Sequence, residues 1–390
     1  MGYCLREDGL HQLFEMWNRD YVVYGPKCMA GEGMYSDTDV VRYGRLKRFE
    51  ELEWETKSAY SFKEAILPIT QILFYFTEGE VKEAEPERKK PALLFMRSCD
   101  IHALKRLDAV YLENHFEDSY YARLRKGLRL VLLGCSKSCD NGFCVSMGTN
   151  QTEEYDAAMN IKMVDGQVRA EITGAMDGLE GLLDGLGADR TEAGPDFVSE
   201  NHVKVRIPEE CGPEHVKAGL WKDYDSRCIG CGRCNFACPT CTCFTMQDIF
   251  YQDNERAGER RRVHASCMVD GYTDVAGGGC YRDSKGERMR FKVLHKISDF
   301  KKQFGYQMCV GCGRCDDICP EYISFSACVN RLADMGNADP EGGNQACGNQ
   351  ACGDQACGNQ ACGDQARRNQ GNRVRQGVCA GAGNTKKEVR

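Results

Sequence analysis

Residues 226–244 read SRCIGCGRCNFACPTCTCF and place six cysteines, Cys228, Cys231, Cys234, Cys238, Cys241 and Cys243, within sixteen positions. The first four follow C-x2-C-x2-C-x3-C before Pro239, and the same spacing returns in Cys309, Cys312, Cys315 and Cys319 before Pro320. Two-residue gaps turn three successive sulfurs inward from one tight loop, with Gly230, Gly232, Gly311 and Gly313 supplying the turns. Four converging thiolates are what a [4Fe-4S] cubane requires, and in two-cluster ferredoxins the fourth cysteine of each run serves the other cluster. The expected sets are therefore Cys228, Cys231, Cys234 and Cys319 for one cluster, and Cys309, Cys312, Cys315 and Cys238 for the second. Structural zinc is the rival use, but it asks for two C-x2-C pairs per metal rather than three close thiolates and a Cys-Pro, twice over. Cys241 and Cys243 remain, and are read as packed thiols that shield a cluster.

Twenty-five cysteines in 390 residues need a compartment. The opening MGYCLREDGLHQLFEMW lacks the basic start and apolar run of a signal peptide, and no stretch approaches the roughly 18 apolar residues of a membrane span. A cytoplasmic protein without a membrane partner is expected, and in that reducing compartment such cysteines signify metal or redox chemistry rather than disulfides. A net charge of −7 argues against nucleic acid as a partner bound through bulk charge.

The length suggests two or three domains. Leu10, Leu13, Phe14 and Trp17 recur at helical spacing ahead of a strand at YVVYG. PALLFM (91–96) reads as a buried strand leading to Cys99 and a helix carrying Ile101, Leu104, Leu107 and Tyr111, on which His102 is a surface residue. LRLVLLG (128–134) is a second buried strand leading to Cys135, then Cys139 and Cys144. Residues 160–172 alternate around Asp165-Gly166 as a hairpin, and 173–196 reads as surface loop with one short helix. The expected fold class is α+β. A mixed α/β domain (1–212) precedes an α-helical ferredoxin-type domain (213–335) with two [4Fe-4S] clusters, and a disordered C-terminal repeat tail (336–390) follows. The helical assignment rests on MQDIFYQDNERAGERRRV and FKVLHKISDFKKQFGY, which separate the two cysteine runs; ERAGERRRV (255–263) is then a solvated helical face or a dock for an acidic partner. Cys267 and Cys280, in the same insertion, are read as non-ligands. The tail repeats NQACG or DQACG with almost nothing large and apolar, too little to offset its ordering entropy.

Cys99, Cys135, Cys139 and Cys144 lie after two buried strands, where α/β sheets place their ligands. They offer four thiolates for a third cluster. No catalytic residue is assigned: no His or Asn arrangement announces a catalytic thiol, no G-x-G-x-x-G follows a strand and no Walker motif occurs, so no nucleotide site is read. A haem is not expected either, because its coupled-cluster cysteine pattern arises here only by reusing ferredoxin cysteines.

At RCIGCGRCNFACPTCTCFTMQDIFYQDNERAGERRRVHASCMVDGYTD and RFKVLHKISDFKKQFGYQMCVGCGRCDDICPEYISFSAC the chain resembles the A subunits of anaerobic sulfite reductases. YSDTDVVRYG, ILPITQILFYFTEGE, RSCDIHALKRLD and FCVSMGTN extend the likeness over roughly residues 10–335. It resembles, more distantly, the β subunits of cytosolic sulfhydrogenases, which share the R-x-C-D loop, a later cysteine loop and a paired ferredoxin module. The resemblance implies a non-catalytic subunit that carries electrons from a flavin- and NADH-binding subunit to a sirohaem subunit reducing sulfite to sulfide. Relatives end the N-terminal cysteine loop in C-F-C; here Gly142 precedes Phe143-Cys144, so Cys139 stands in.

Overall fold

The computed structural model describes residues 2–34, 37–85 and 90–336; the repeat tail from Asn344 lies outside them. Ten strands precede the first cysteine run: β1 (Gly2–Arg6), β2 (Val22–Met29), β3 (Val40–Arg45), β4 (Thr70–Phe76), β5 (Val81–Glu83), β6 (Ala92–Met96), β7 (Leu128–Leu133), β8 (Ala157–Val164), β9 (Gln167–Gly174) and β10 (Asp189–Thr191). After that run come β11 (Phe244–Tyr251) and β12 (Asn254–His264), then a small ladder of β13 (Asp274–Val275) and β14 (Gly279–Cys280). The helices of eight residues or more are α1 (Glu7–Asp20), α2 (Ser98–Tyr111), α3 (Ser119–Lys126), α4 (Lys285–Leu294) and α5 (Phe325–Gly336).

Eight strands form one sheet in the order β10-β1-β9-β8-β7-β6-β2-β3. Its centre is parallel, β2 beside β6, β6 beside β7 and β7 beside β8. Every residue of β6 is buried, as a strand covered on both faces requires. Leu10, Leu13, Phe14 and Trp17 of α1 cover one face, with Phe14 stacked on Phe95 at 5.4 Å. Ile101, Leu104 and Leu107 of α2 cover the other. The β8–β9 hairpin turns at Asp165 (φ 52°) and Gly166 (φ 76°), the left-handed pair that a two-residue loop needs.

The region between the cysteine runs corrects the expectation of an all-helical module. Residues 244–264 are an antiparallel hairpin, and β12 also pairs with β4, giving a second sheet β11-β12-β4-β5. Asp248 stands opposite Arg260, and both of its carboxylate oxygens accept from that guanidinium at 2.6 Å. Charges spaced for such cross-strand pairs mimic helical periodicity when read along one chain. The arginines of 255–263 are thus not a free helical face: Arg256 pairs with Glu78, Arg260 with Asp248, Arg261 with Glu259 and Arg262 with Asp118. Within 291–306, residues 291–304 do run as helix, continuing α4 through a π-helical turn at His295–Asp299 to Phe304.

A buried ion pair ties the sheet to the second cysteine run. Arg314 donates to both oxygens of Asp100 at 2.6 and 2.9 Å, and to Ser58 O and Oγ at 3.0 and 3.1 Å. Tyr43 adds a hydroxyl to Asp100 at 3.3 Å. Arg314 is 1% exposed and Asp100 fully buried, so removing either partner strands a charge in the interior. Asp100→Ala should cost about 3–5 kcal/mol, measured as a lowered denaturant midpoint under anaerobic conditions. A loss below about 1 kcal/mol, the scale of a surface pair, would show that the pair does not hold the two regions together.

Candidate metal centres

The two cysteine runs are built alike. In each, two glycines with positive φ, Gly230 and Gly232 or Gly311 and Gly313, precede a one-turn helix, Arg233–Phe236 or Arg314–Asp317. Backbone amides turn toward sulfur: Gly230 N donates to Cys228 Sγ at 3.4 Å, Gly311 N to Cys309 Sγ at 3.4 Å and Ile323 N to Cys319 Sγ at 3.3 Å.

Three cavities gather the thiols. Cys228, Cys231, Cys234 and Cys319 line the first, with Met268, Met289 and Lys292 on its wall. Cys238, Cys309, Cys312 and Cys315 line the second, with Phe143, Lys292 and Lys296. Cys99, Cys135, Cys139 and Cys144 line the third, with Arg97 and Asn201. Arg97 Nη1 donates to Cys135 Sγ at 3.3 Å and Asn201 Nδ2 to Cys144 Sγ at 3.6 Å. Among the described residues, no group of three or more His, Cys, Asp or Glu side chains is arranged to hold a single metal ion. Four thiols spaced around each cavity, with amide, guanidinium and ammonium donors behind them, instead suit a larger, soft, negatively charged group such as a cubane.

The cavities stand in series. Cys315 borders the first and second, and Cys312 the second and third. Two glycines make the second junction possible. A Cβ on Gly311 would meet Phe143 O at 2.5 Å, and one on Gly313 would meet Asn141 O at 2.1 Å; Phe143 N donates to Gly311 O at 2.7 Å. These glycines therefore serve both the turn and the close approach of the 135–144 loop.

Burial pushes the Cys309 thiol up to about 12 and the Cys144 thiol up to about 11. Cys238 goes the other way: burial acts to raise it, but Lys296 and Lys63 outweigh that effect and favour the thiolate. Loading a metal on such thiols must expel protons. Lys292 and Lys296, buried four residues apart at the end of α4 and its π-helical continuation, stay charged: burial opposes this, yet Cys234 and Cys315 hold Lys292 up, and Cys238 and Cys241 hold Lys296 up. Sequence reading missed both lysines. Their signal was an i, i+4 pair of cations inside an apolar helical stretch.

Cys241 and Cys267 are buried and, with Cys243, lie outside the walls of the three cavities. Cys280 sits in β14. His102 accepts no role at the cavities; its Nε2 is 2.9 Å from Gln151 O.

Residues 227–323 match a family model described as a 4Fe-4S dicluster domain. The β subunit of sulfhydrogenase 2 from Pyrococcus furiosus is 30% identical over 314 residues, covering 75% of this chain and 91% of that protein. The chain belongs to the sulfhydrogenase β-subunit family. It is an iron-sulfur electron-transfer subunit of an oxidoreductase complex, with [4Fe-4S] clusters as cofactors of the dicluster region. No helix among the described residues is long and apolar enough to cross a membrane.

Replacing Lys292 by Met keeps the stem and removes the charge between the first two cavities. A reduced cluster carries more negative charge, so the lost cation should lower reduction potentials there by on the order of 100 mV, the scale of one nearby charge at an effective dielectric of about 20. Potentiometric titration followed by electron paramagnetic resonance checks this; unchanged potentials would show that Lys292 is screened.

Proposed function

We propose that this chain relays single electrons through three cubanes, from a flavin- and NADH-binding subunit to a sirohaem subunit that reduces sulfite to sulfide. In this reading Cys228, Cys231, Cys234 and Cys319 hold the first cluster, and Cys309, Cys312, Cys315 and Cys238 the second. Cys99, Cys135, Cys139 and Cys144 hold the third. The observation that supports it most is the series of three thiol-lined cavities with shared walls. When bound, each cubane supplies a one-electron couple. The chain's own residues anchor it, exclude water and set its electrostatics: Arg97, Lys292 and Lys296 stand behind the sulfurs. The reading makes the chain cytoplasmic and assigns it no catalytic residue.

The sulfite acceptor rests on the sequence resemblance described above. A second reading, in which the chain serves a cytosolic sulfhydrogenase-type complex, is favoured by the 30% identical relative. The subunits copurified under anaerobic conditions decide between them: a sirohaem absorption band supports the first, a hydrogenase subunit the second.

Anaerobically purified chain should carry about 12 irons with matching acid-labile sulfide, three cubanes' worth. Cys99→Ser should remove about four of them. Cys309→Ser should abolish NADH-dependent sulfite reduction in the reconstituted complex, whereas stoichiometric zinc without labile sulfide would sink the relay altogether.

A further inference from the structure

A pocket of about 340 Å³ opens where the base of the β11–β12 hairpin meets the one-turn helix Lys63–Ile66. Cys241 and Cys243 lead into β11 and Cys267 follows β12; Phe244 pairs with His264, and Ala265 N donates to Cys243 O at 3.0 Å, closing the hairpin base. Tyr111, Phe236 and Phe244 supply aromatic walls, and the lining is mostly apolar. Ile69 and Phe244, 61% and 38% exposed, leave the pocket open to solvent. It shares no lining residue with the three thiol cavities.

The charges in its wall decide what it can take. Lys63 is 4% exposed, and its Nζ makes one hydrogen bond, to Cys241 O at 2.8 Å. An ammonium carries three donors, and among the described residues no carboxylate pairs with this one. The other charged groups are already matched: Arg42 pairs with Glu64, and Arg262 pairs with Asp118 while its Nη2 donates to Gln71 Oε1 at 2.7 Å. His264, also in the wall, keeps a buried Nε2 without a hydrogen-bond partner. A buried cation held by one carbonyl is costly unless an anion completes it, and the open pocket is where that anion can enter.

We propose that this pocket binds a small planar aromatic anion, a carboxylate or sulfonate on a body of one or two rings. The acidic group accepts from the Lys63 ammonium. The rings lie against Tyr111 and Phe244, whose own rings already hold the Arg262 guanidinium at 5.8 and 5.7 Å from their centroids. An inorganic oxyanion would leave most of the apolar wall uncovered, and a neutral ring would leave the ammonium without a counterion. The floor of the pocket leads toward the second cavity: Lys63 holds Cys241 O, and Cys241 N donates to Cys238 O at 3.3 Å. A bound anion thus stands beside the cluster proposed there and disfavours its reduction by like charge. Only this last consequence rests on the relay reading.

The test titrates the full chain with its clusters, anaerobically, with naphthalene-2-sulfonate and follows the heat by calorimetry. One equivalent should bind per chain, more tightly than the neutral naphthalene-2-methanol. Lys63→Met keeps the stem and removes the charge; it should weaken the sulfonate roughly 10- to 100-fold, the scale of a lost charged hydrogen bond, and leave the neutral compound unchanged. Phe244→Ala should weaken both compounds. Cluster absorbance reports that the variants are folded. Saturating sulfonate should also lower the potential of the second cluster, read by electron paramagnetic resonance. If Lys63 serves the cluster alone, its replacement shifts that potential and leaves sulfonate affinity as it was. That result, equal affinity for the charged and neutral compounds, or no binding to the unaltered chain would overturn the proposal. Binding needs no electron transfer, so its failure leaves the relay reading standing, and loss of the relay in Cys309→Ser leaves the pocket intact.

Discussion

The bidentate pair between Arg314 and Asp100 is the contact on which the arrangement of the cavities depends. Asp100 sits in the first turn of α2, one residue after Cys99, and Arg314 lies one residue before Cys315. The pair thus registers the strand-end cysteines against the second cysteine run. Burying two charges is costly unless both are fully partnered, and Ser58 and Tyr43 complete the set. A misregistered dock would leave four buried polar groups unsatisfied, which makes the correct one sharply preferred.

With that dock set, the shared walls follow. The 135–144 loop can press on the second run only because Gly311 and Gly313 carry no side chain. Cys312 then faces two cavities, as Cys315 does one step further on. Placing Lys292 and Lys296 on the continuous helix between the runs sets compensating positive charge where several thiolates converge. The short steps between cavities and the charge placement come from the same packing.

Much of this was legible along the chain. Strands at 92–96 and 128–133 announced themselves as short apolar runs because both faces are covered, and the β8–β9 turn announced itself through Asp165-Gly166. The hairpin at 244–264 did not. It is rich in charge, half solvated and paired with β4, a strand nearly two hundred residues earlier, and local periodicity carries no information about a partner so remote. Lys63 was illegible for the same reason, and the i, i+4 spacing of Lys292 and Lys296 marked a pair of cations on an apolar helix without saying what they face: the role of a buried lysine is set by the thiols around it, and those arrive from other segments.

By itself the sequence determined the chemistry on offer: two complete C-x2-C-x2-C-x3-C-P runs, with glycines at the turns, specify how three sulfurs of each run face one way, because the spacing constrains the backbone locally. It also marked the strand ends that carry Cys99 and Cys135. Only the tertiary structure decided that the three thiol groups form a series, that Cys241, Cys243 and Cys267 gather on one hairpin, and that buried lysines stand behind the sulfurs. These are relations between distant segments, created when a long-range sheet and the buried Arg314–Asp100 pair close, and no local spacing encodes them.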